Sequence, residues 1–306
     1  MKVATKHKKK INKIRLAFII CGITVPIIQW LVFYVYANFS AIFMAFQDSQ
    51  GNLSLINFQR VFKEFTLPTS EIFVALKNTF LTFGITLVAF PFKVLVSFFI
   101  YKKIPFYKFY RVVFFFPTII FSVAVALIFT KLVSADGVIA QTVQNLVGLD
   151  YVPELLADER FANITVILNL LWLTFPGDLI IWGGAFARIP EDVLESGRID
   201  GVTWWTEFTN IVVPLVWPTV ALQMILLFCG IFGASGQVFL LTGGQYGTMT
   251  LSAWMYITLY NNSGNMYTSN AYNYMSAVGL VITVIAVVLS LSIRKLTDKM
   301  FDQVEY

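Results

Sequence analysis

Six long apolar stretches, separated by shorter polar segments, dominate the pattern of hydrophobic and polar positions along this chain. A helix that crosses a bilayer needs about 20 mostly apolar residues, because each residue advances the helix by about 1.5 Å. The stretches that meet this requirement cover residues 15–46, 72–100, 109–133, 163–187, 211–240 and 271–293. The pattern therefore predicts an all-α, polytopic membrane protein with about six transmembrane helices.

Composition leads to the same prediction. Of the 306 residues, 58% are hydrophobic and only 13% are charged, whereas a soluble domain carries about 25% charged residues. A water-soluble fold of this size could not bury so much apolar surface, so lipid must be the solvent for much of the chain. The sequence shows no internal repeat and no Gly/Ser linker, and we interpret residues 1–306 as a single transmembrane domain.

Lys and Arg are distributed unevenly among the polar segments. They concentrate in residues 2–15, 101–111 and 188–210 and near the C-terminus, which six helices would place on one side of the membrane. The loop between the third and fourth stretches is acidic and contains Asp136, Asp150, Glu154, Asp158 and Glu159. Because cytoplasmic loops carry the excess of Lys and Arg, both termini, including the basic tail 1–14, are predicted to be cytoplasmic.

The basic tail has a second interpretation. A run of Lys and Arg can bind nucleic acid, but an apolar segment follows this one at once, which favours the topological role. We therefore expect a lipid bilayer, and no nucleic acid, as the partner of this end of the chain.

Residues suited to catalysis or metal binding are sparse. Cys21 and Cys229 lie inside apolar runs, which favours small buried side chains over a disulfide. The one histidine, His7, lies in the tail, which argues against a histidine-based metal site or a Ser/His/Asp triad. No Gly-x-x-x-x-Gly-Lys-Ser/Thr sequence occurs, so the chain is not expected to bind ATP through a P-loop.

The segment 188–210 is predicted to form a helix-turn-helix at the inner membrane surface. Pro190 suits the first turn of a short helix, and Glu191 follows where the helix dipole favours negative charge. We expect Gly197 to end this helix and Asp200 to cap a second one.

An ordered set of residues runs through and beyond this segment. It consists of Glu195, Ser196, Gly197, Asp200, Gly201, Ile211 and Pro214. The order resembles the cytoplasmic EAA loop of permeases from binding-protein-dependent ABC importers, specifically the carbohydrate-type, maltose-permease-like subfamily. Ser196 and Gly197 stand where that family has two alanines.

Further segments extend the resemblance over most of the chain. They are the run from Asn57 to Thr79, the run from Arg111 to Pro117, Asp136 with Gly137, and the run from Leu241 to Gly244. Gln245 and Tyr246 depart from the family pattern that continues the last of these.

The resemblance implies a type I ABC importer permease with several partners. These are a second homologous permease, two ATPase subunits, an extracytoplasmic solute-binding protein and a carbohydrate, in a bacterial cytoplasmic membrane. The ATPase subunits would bind ATP and Mg²⁺, so no cofactor and no enzymatic activity are expected of this chain itself. Glu195, Ser196, Gly197, Asp200, Gly201 and Pro214 would belong to the loop that couples to the ATPase. An ordinary interfacial amphipathic helix pair is the alternative for this loop.

Two charged residues lie inside predicted membrane helices. Asp178 is costly at its depth unless it faces water or a partner, which favours a polar transport cavity, a subunit contact or a structural hydrogen bond. Lys93 lies less than two turns from the inner end of its stretch and is expected to snorkel towards the interface.

The resemblance also implies a substrate path along the fourth and fifth stretches. Its predicted members are Leu173, Thr174, Gly177, Leu227, Gly230, Ile231 and Ala234, and Asp178 and Gln237 are added for their polarity. Aromatic rings that could stack on sugars are Trp172, Trp182, Trp254 and Tyr256, although such residues more often line bilayer interfaces.

Two other function classes are less favoured. A secondary transporter driven by an ion gradient would be expected to have paired intramembrane charges and inverted repeats. A membrane-embedded enzyme would be expected to cluster Asp, Glu and His at one membrane face. A single intramembrane carboxylate, no repeat and one histidine in a tail argue against both classes.

Overall fold

The computed structural model describes residues 13–147, 153–234, 236–262 and 268–300, so most of the basic tail and Asp150 lie outside the described residues. In these ranges the regular structure is helical, apart from one isolated antiparallel bridge between Gln47 and Leu53. The predicted all-α class is confirmed. The chain divides into two compact units, residues 1–61 with 266–280 and residues 62–265 with 281–306. The single-domain interpretation stays a prediction.

The first unit contains an apolar N-terminal helical run. Helix α1 (Lys13–Trp30) passes through a π-helical stretch (Leu31–Tyr36) into α2 (Ala37–Ala45), and α3 (Ile56–Thr66) begins in the same unit. Large apolar side chains from Phe18 onward are exposed along this run, which suits a helix surrounded by lipid. The Asn273 side-chain amide donates to the backbone oxygens of Gln47 and Asp48, both at 3.2 Å.

The second unit contains most of the remaining helices. They are α4 (Glu71–Tyr101), α5 (Tyr107–Ile119), α6 (Ser122–Val133), α7 (Val138–Val147), α8 (Ala162–Phe186), α9 (Glu191–Ile199), α10 (Trp204–Leu215), α11 (Trp217–Cys229), α12 (Gly236–Leu241) and α13 (Leu251–Asn262). Helix α14 (Thr268–Met300) begins in the first unit and ends in the second. Within α10, Glu207–Val212 has π-helical geometry.

The main core of the second unit lies at the C-terminal ends of α4 and α8. Phe98, Trp182 and Phe186 are wholly buried there, and Val212 of α10 packs against the same cluster. Burying rings of this size removes more apolar surface from solvent than any other residues can. The core therefore gives α9 and α10 a rigid base.

Among the described residues, five helices are long and apolar enough to cross a membrane, or six if the bent pair α10 and α11 forms one span. The predicted number is thereby confirmed, but the third stretch is misplaced. Extended backbone at Ile120 and Phe121 ends α5 just after Pro117, which already removes one helical hydrogen bond. The apolar span in this region is Ser122–Leu146, in place of the predicted 109–133.

The fifth stretch, 211–240, is not one helix. Helices α10 and α11 meet at an angle of 76°. Pro218 has no N–H with which to bond to the carbonyl of Pro214, so the helix cannot continue unbroken through Val216. The chain is again non-helical from Gly230 to Ala234, and the prediction of a single continuous span is wrong.

Both cysteines are free and exposed on the chain, so the prediction that they are buried is wrong. Cys229 Sγ donates to Ser290 Oγ at 3.2 Å, which links α11 to α14.

Candidate functional site

Helix α9 lies in the segment for which the sequence predicted a coupling role. It begins after Pro190 and continues to Ile199, so Gly197 does not end it and that prediction is wrong. Gly197 is buried, and a Cβ atom at this position would lie 2.9 Å from Ile211 Cδ1. The glycine therefore permits close packing of α9 against α10.

The turn after α9 depends on Gly201, whose φ of +74° lies in the left-handed region that favours glycine. Asp200 ends α9 and does not cap α10, contrary to the prediction. Thr203 provides the cap, because its Oγ1 accepts the backbone N–H of Thr206 at 3.3 Å. Asp and Thr both suit a cap, and only the length of the turn decides between them.

The outer face of α9 is exposed. Glu195 and Ser196 lie on this face, and Ile199 at its end is 86% exposed. Trp204 and Trp205 at the start of α10 are also half exposed. Several exposed apolar side chains in one short segment are typical of an interaction surface. Ile199 was not among the predicted coupling residues, although an isoleucine on the polar face of a short helix was a usable signal.

A buried ion pair joins α10 to the end of α4. Lys102 Nζ lies 2.5 Å from Oε2 of Glu207, which is only 3% exposed. Oε1 of Glu207 has no hydrogen-bond partner among the described residues. Both side chains border a cavity of about 500 Å³, which Arg198 of α9 also lines. A buried carboxylate needs such a partner, so the pair fixes α10 against α4.

A second ion pair lies inside the membrane-spanning helices. Lys93 Nζ is 2.8 Å from Asp178 Oδ2 and 2.8 Å from Thr174 Oγ1. Lys93 is only 8% exposed, so the prediction that it snorkels is wrong. Its ammonium group turns to Asp178 because an opposite charge offsets the cost of burial.

The second pair borders a cavity of about 240 Å³ between α4, α8 and α11. Its lining residues are Thr86, Phe90, Lys93, Thr174, Asp178, Gln223, Leu226 and Leu227. At about 30 Å³ per water molecule, it has room for about eight waters. Three predicted members of the substrate path, Thr174, Asp178 and Leu227, therefore meet at one place.

The other predicted members of the path do not border this cavity. They are Leu173, Gly177, Gly230, Ile231, Ala234 and Gln237. Ala234 and Gln237 line a separate cavity of about 140 Å³ together with Asn163. Gly230 lies on an apolar groove between α11 and α14, and Ile231 is buried. The non-helical segment 230–234 contains Ile231 and Ala234, and it separates Gln237 from the α11 residues that border the 240 Å³ cavity.

Two of the tryptophans predicted as possible stacking platforms for sugars, Trp182 and Trp254, make contacts within the protein. Trp182 is completely buried, and its ring centroid lies 5.8 Å from that of Phe90. The Trp254 indole N–H donates to Glu71 Oε2 at 3.2 Å. A stacking role for Trp172 and Tyr256 stays a prediction.

At the opposite end of α4, Asn78 holds the turn that follows α12. Its side-chain N–H groups donate to the backbone oxygens of Gly247, at 2.6 Å, and of Met249, at 2.9 Å. Asn163 of α8 donates in turn to Asn78 Oδ1 at 2.8 Å. Gly244, with φ of +81°, allows the chain to reverse here. These bonds join the turn after α12, which contains Gly243 and Gly244, to the long helices α4 and α8.

The acidic loop before α8 contains an internal ion pair. Arg160 Nη2 lies 2.6 Å from Asp158 Oδ2, and the Arg160 backbone N–H also donates to Asp158. The side-chain hydrogen bonds from Arg160, followed by this backbone bond, lower the pKa of Asp158 to about 2. Asp158 therefore stays ionised, and it is the positive charge of Arg160 that makes the loop less negative than its carboxylate count suggests.

A comparison with known families places this geometry in context. Residues 72–302 match the family described as the binding-protein-dependent transport system inner membrane component. The chain belongs to this family. The matched range contains the Lys102–Glu207 and Lys93–Asp178 pairs and the whole predicted coupling segment, and the match confirms the family resemblance.

Two relatives have names that describe sugar transport. The permease is 27% identical over 280 residues to the multiple sugar-binding transport system permease protein MsmF of Streptococcus mutans, over 90% of this chain and 93% of that protein. It is 25% identical to the lactose transport system permease protein LacF of Rhizobium radiobacter, over 59% of this chain and 60% of that protein.

Solved structures confirm the ABC importer permease fold. The permease superposes with a TM-score of 0.77 and 23% identity on a bacterial ABC transporter that imports the acidic polysaccharide alginate, covering 94% of this chain and 98% of that one. A second structure, in complex with an alginate pentasaccharide-bound periplasmic protein, gives a TM-score of 0.79 at 23% identity, covering 95% and 98%.

The ion-gradient-driven transporter is excluded by family membership and not by the number of charged residues inside the membrane helices. The argument from a single intramembrane charge was wrong, because Lys93 and Asp178 form a pair. The pairing of Lys93 with Asp178 could not be predicted from local sequence, because the two residues are separated by 85 positions along the chain.

Proposed function

We propose that this permease is the membrane-spanning subunit of an ATP-driven importer for oligosaccharides. Its partners would be a second, homologous permease, two ATPase subunits that bind ATP and Mg²⁺, and an extracytoplasmic solute-binding protein. The chain would lie in a bacterial cytoplasmic membrane with both termini in the cytoplasm. In this proposal it is a transport subunit that holds no cofactor and catalyses no reaction itself.

The oligosaccharide class is supported by the relatives. MsmF and LacF are named for sugar transport, and the superposed structures come from a polysaccharide importer. The 240 Å³ cavity adds polar side chains between membrane helices, which a hydroxyl-rich solute needs in order to leave water. We assign the substrate path to this cavity, with Thr174, Asp178 and Leu227 as its members.

Coupling to the ATPase through α9 is supported by one observation above all. The buried face of α9 is fixed by the close approach of Gly197 to Ile211, while Glu195, Ser196 and Ile199 remain exposed on the other face. A helix held in this way moves as a unit with α10 and, through the Glu207–Lys102 pair, with α4. An amphipathic helix that only lies on lipid would not need this rigid support.

The test is affinity purification of the tagged chain from its native membrane in mild detergent, with identification of the proteins that accompany it. We expect an ATPase to copurify with the native chain. Glu195→Lys and Ile199→Asp, both on the exposed face of α9, should reduce ATPase recovery at least tenfold if that face is the contact (about 1.4 kcal/mol per tenfold).

The matched control is Glu159→Lys, which makes the same charge change at an exposed position of the acidic loop. This loop is predicted to lie on the other side of the membrane, so ATPase recovery should equal that of the native chain. Repeated failure to recover any ATPase with the folded native chain would contradict the importer proposal. Equal loss in the control and in the α9 variants would contradict the assignment of the coupling surface.

A further inference from the structure

The Lys93–Asp178 pair lies deep in the membrane-spanning part of the second unit. Each residue is eight positions before the last residue of its helix, Tyr101 in α4 and Phe186 in α8. At about 1.5 Å per residue, both lie about 12 Å from the ends of these helices. Charges at such depth are found mainly where they pair with each other or face a water-filled path.

The pair has hydrogen-bonding capacity left over. Lys93 Nζ donates to Thr174 Oγ1 and forms an ion pair with Asp178 Oδ2, and these two contacts occupy at most two of its three N–H donors. Within the described residues, no group donates to Asp178 Oδ1 and no partner binds the Gln223 side-chain amide, although both residues border the cavity. The cavity therefore presents an unused cationic donor, an unused anionic acceptor and an amide. Hydroxyl groups, which donate and accept at once, match this combination.

The opposite charges of Lys93 and Asp178 cancel, so the cavity has no net charge that would attract an ionised solute. An anion that accepted the free N–H of Lys93 would lie within about 6 Å of Asp178, because both contacts to Nζ are about 2.8 Å long. The repulsion from Asp178 would offset much of the attraction to Lys93, because the two charged groups are only 2.8 Å apart. The same argument, with the signs reversed, applies to a cation beside Asp178.

We propose that the Lys93–Asp178 pair forms a charge-compensated subsite of the substrate path, which binds uncharged, hydroxyl-bearing sugar units and discriminates against acidic ones. This inference rests on the proposed function and specifies the substrate class of the same site. It sets this permease apart from the superposed alginate importer, whose cargo is acidic.

The alternative is that the Lys93–Asp178 pair only stabilises the fold. Such a pair would have the same contacts, but no solute could reach it. The cavity argues against this alternative, because Asp178 is 24% exposed at its side chain and Gln223 and Leu227 line the same space from α11. The charge of the cavity and its access from water can both be measured without knowing the solute.

The experiment uses a single reporter cysteine, Leu227→Cys, in a Cys21→Ser/Cys229→Ser background, in the assembly that copurifies with the tagged chain. Labelling rates are measured with an anionic methanethiosulfonate, which carries a sulfonate, and with a cationic one, which carries trimethylammonium. Each rate is divided by the rate of the same reagent with free 2-mercaptoethanol. Asp298→Asn is the matched control, since it breaks the exposed Arg294–Asp298 pair.

We expect the two normalised rates to agree within about threefold in the native cavity, because the charges of the pair cancel. Asp178→Asn should raise the anionic-to-cationic ratio by about tenfold or more, and Lys93→Met should lower it by a similar factor. Asp298→Asn should leave the ratio unchanged. The double variant Lys93→Gln/Asp178→Asn leaves no uncompensated charge and should restore the native ratio even if the single variants fold poorly.

The inference would be overturned if the native cavity labels more than tenfold faster with the anionic reagent, or if neither reagent reaches the reporter cysteine. It would equally be overturned if Asp178→Asn left the ratio unchanged in a folded assembly. ATPase recovery is measured on the same samples. Loss of the ATPase from the native chain counts against the proposed function, whereas anion-selective labelling in an assembly that retains its ATPase counts against this inference alone.

Discussion

Lys102, just beyond the last residue of α4, holds Glu207 of α10 through an Nζ–Oε2 contact of 2.5 Å. Glu207 is buried and lies in the π-helical part of α10, the helix that follows the predicted coupling helix α9 after a short turn. Because α9 packs on α10 through Gly197 and Ile211, the three helices form one connected body. A force applied to the exposed face of α9 would therefore reach a membrane helix without passing through a flexible linker.

The first prediction concerns the stability that this contact provides. Glu207→Ala should lower the free energy of unfolding by about 1.5 kcal/mol, because it removes a charge-assisted hydrogen bond from Lys102, whose side chain keeps some access to solvent. Glu207→Gln should cost less, since the amide oxygen can still accept from Lys102. The midpoint of thermal unfolding in detergent measures both effects. Asp298→Asn, at an exposed pair, should change stability by less than about 0.5 kcal/mol. A Glu207→Ala variant as stable as the native chain would refute the assignment.

The second prediction concerns Gly197. Glycine inside a helix costs about 1 kcal/mol relative to alanine, so Gly197→Ala would be stabilising if packing allowed it. The new Cβ would lie 2.9 Å from Ile211 Cδ1, and we expect the resulting strain to cancel the gain.

Ile211→Val removes that Cδ1 atom and supplies the background for the test. There, Gly197→Ala should stabilise the chain by about 0.5 kcal/mol, measured by the unfolding midpoint, because Val202 Cγ2 still lies 3.3 Å from the new Cβ and reduces the gain. Equal effects of Gly197→Ala in the native and Ile211→Val backgrounds would show that the close approach has no energetic consequence.

The third prediction concerns the turn that follows α12. Asn78→Leu removes both hydrogen bonds to the backbone oxygens of Gly247 and Met249. Amide hydrogen exchange in residues 247–251 should then accelerate by about tenfold or more, because the turn can open locally. Asn145→Leu, at an exposed position on α7, is the matched control and should leave exchange there unchanged. Unaltered exchange in Asn78→Leu would show that other contacts fix the turn.

The fourth prediction concerns the acidic loop. The pKa of Asp158 is lowered from 3.8 to about 2 in the folded chain, so the contribution of its pair with Arg160 is present above the unfolded value and is lost as the pH falls through about 2. The carboxylate should remain ionised from pH 7 down to pH 4. Arg160→Met should return its pKa towards 3.8. Titration of ¹³C-labelled Asp carboxyl groups by NMR distinguishes these values, and a midpoint near 3.8 in the native chain would contradict the pairing.

The extent to which the sequence predicted the site differs between its two parts. The helix-turn-helix predicted over residues 188–210 is present, because helix and turn signals act over a few neighbouring positions, and its coupling role stays a prediction. Its details were misassigned where two local signals compete, as Asp200 and Thr203 do for the cap of α10. Glu207 was missed because its significance depends entirely on Lys102, at a distance of 105 positions along the chain.

The sequence by itself determined the membrane environment, the all-α class, the approximate number of spans and the family. These properties depend on apolar composition and on short ordered motifs, and both can be recognised without knowing which residues contact each other in the folded chain. Only the tertiary structure decided that the fifth stretch bends, that Lys93 turns inward, and that Asp178, Thr174 and Leu227 border one cavity. The physical reason is that the energy of a buried charge depends on its partner, and the partner's position is fixed by packing between helices that are distant in sequence.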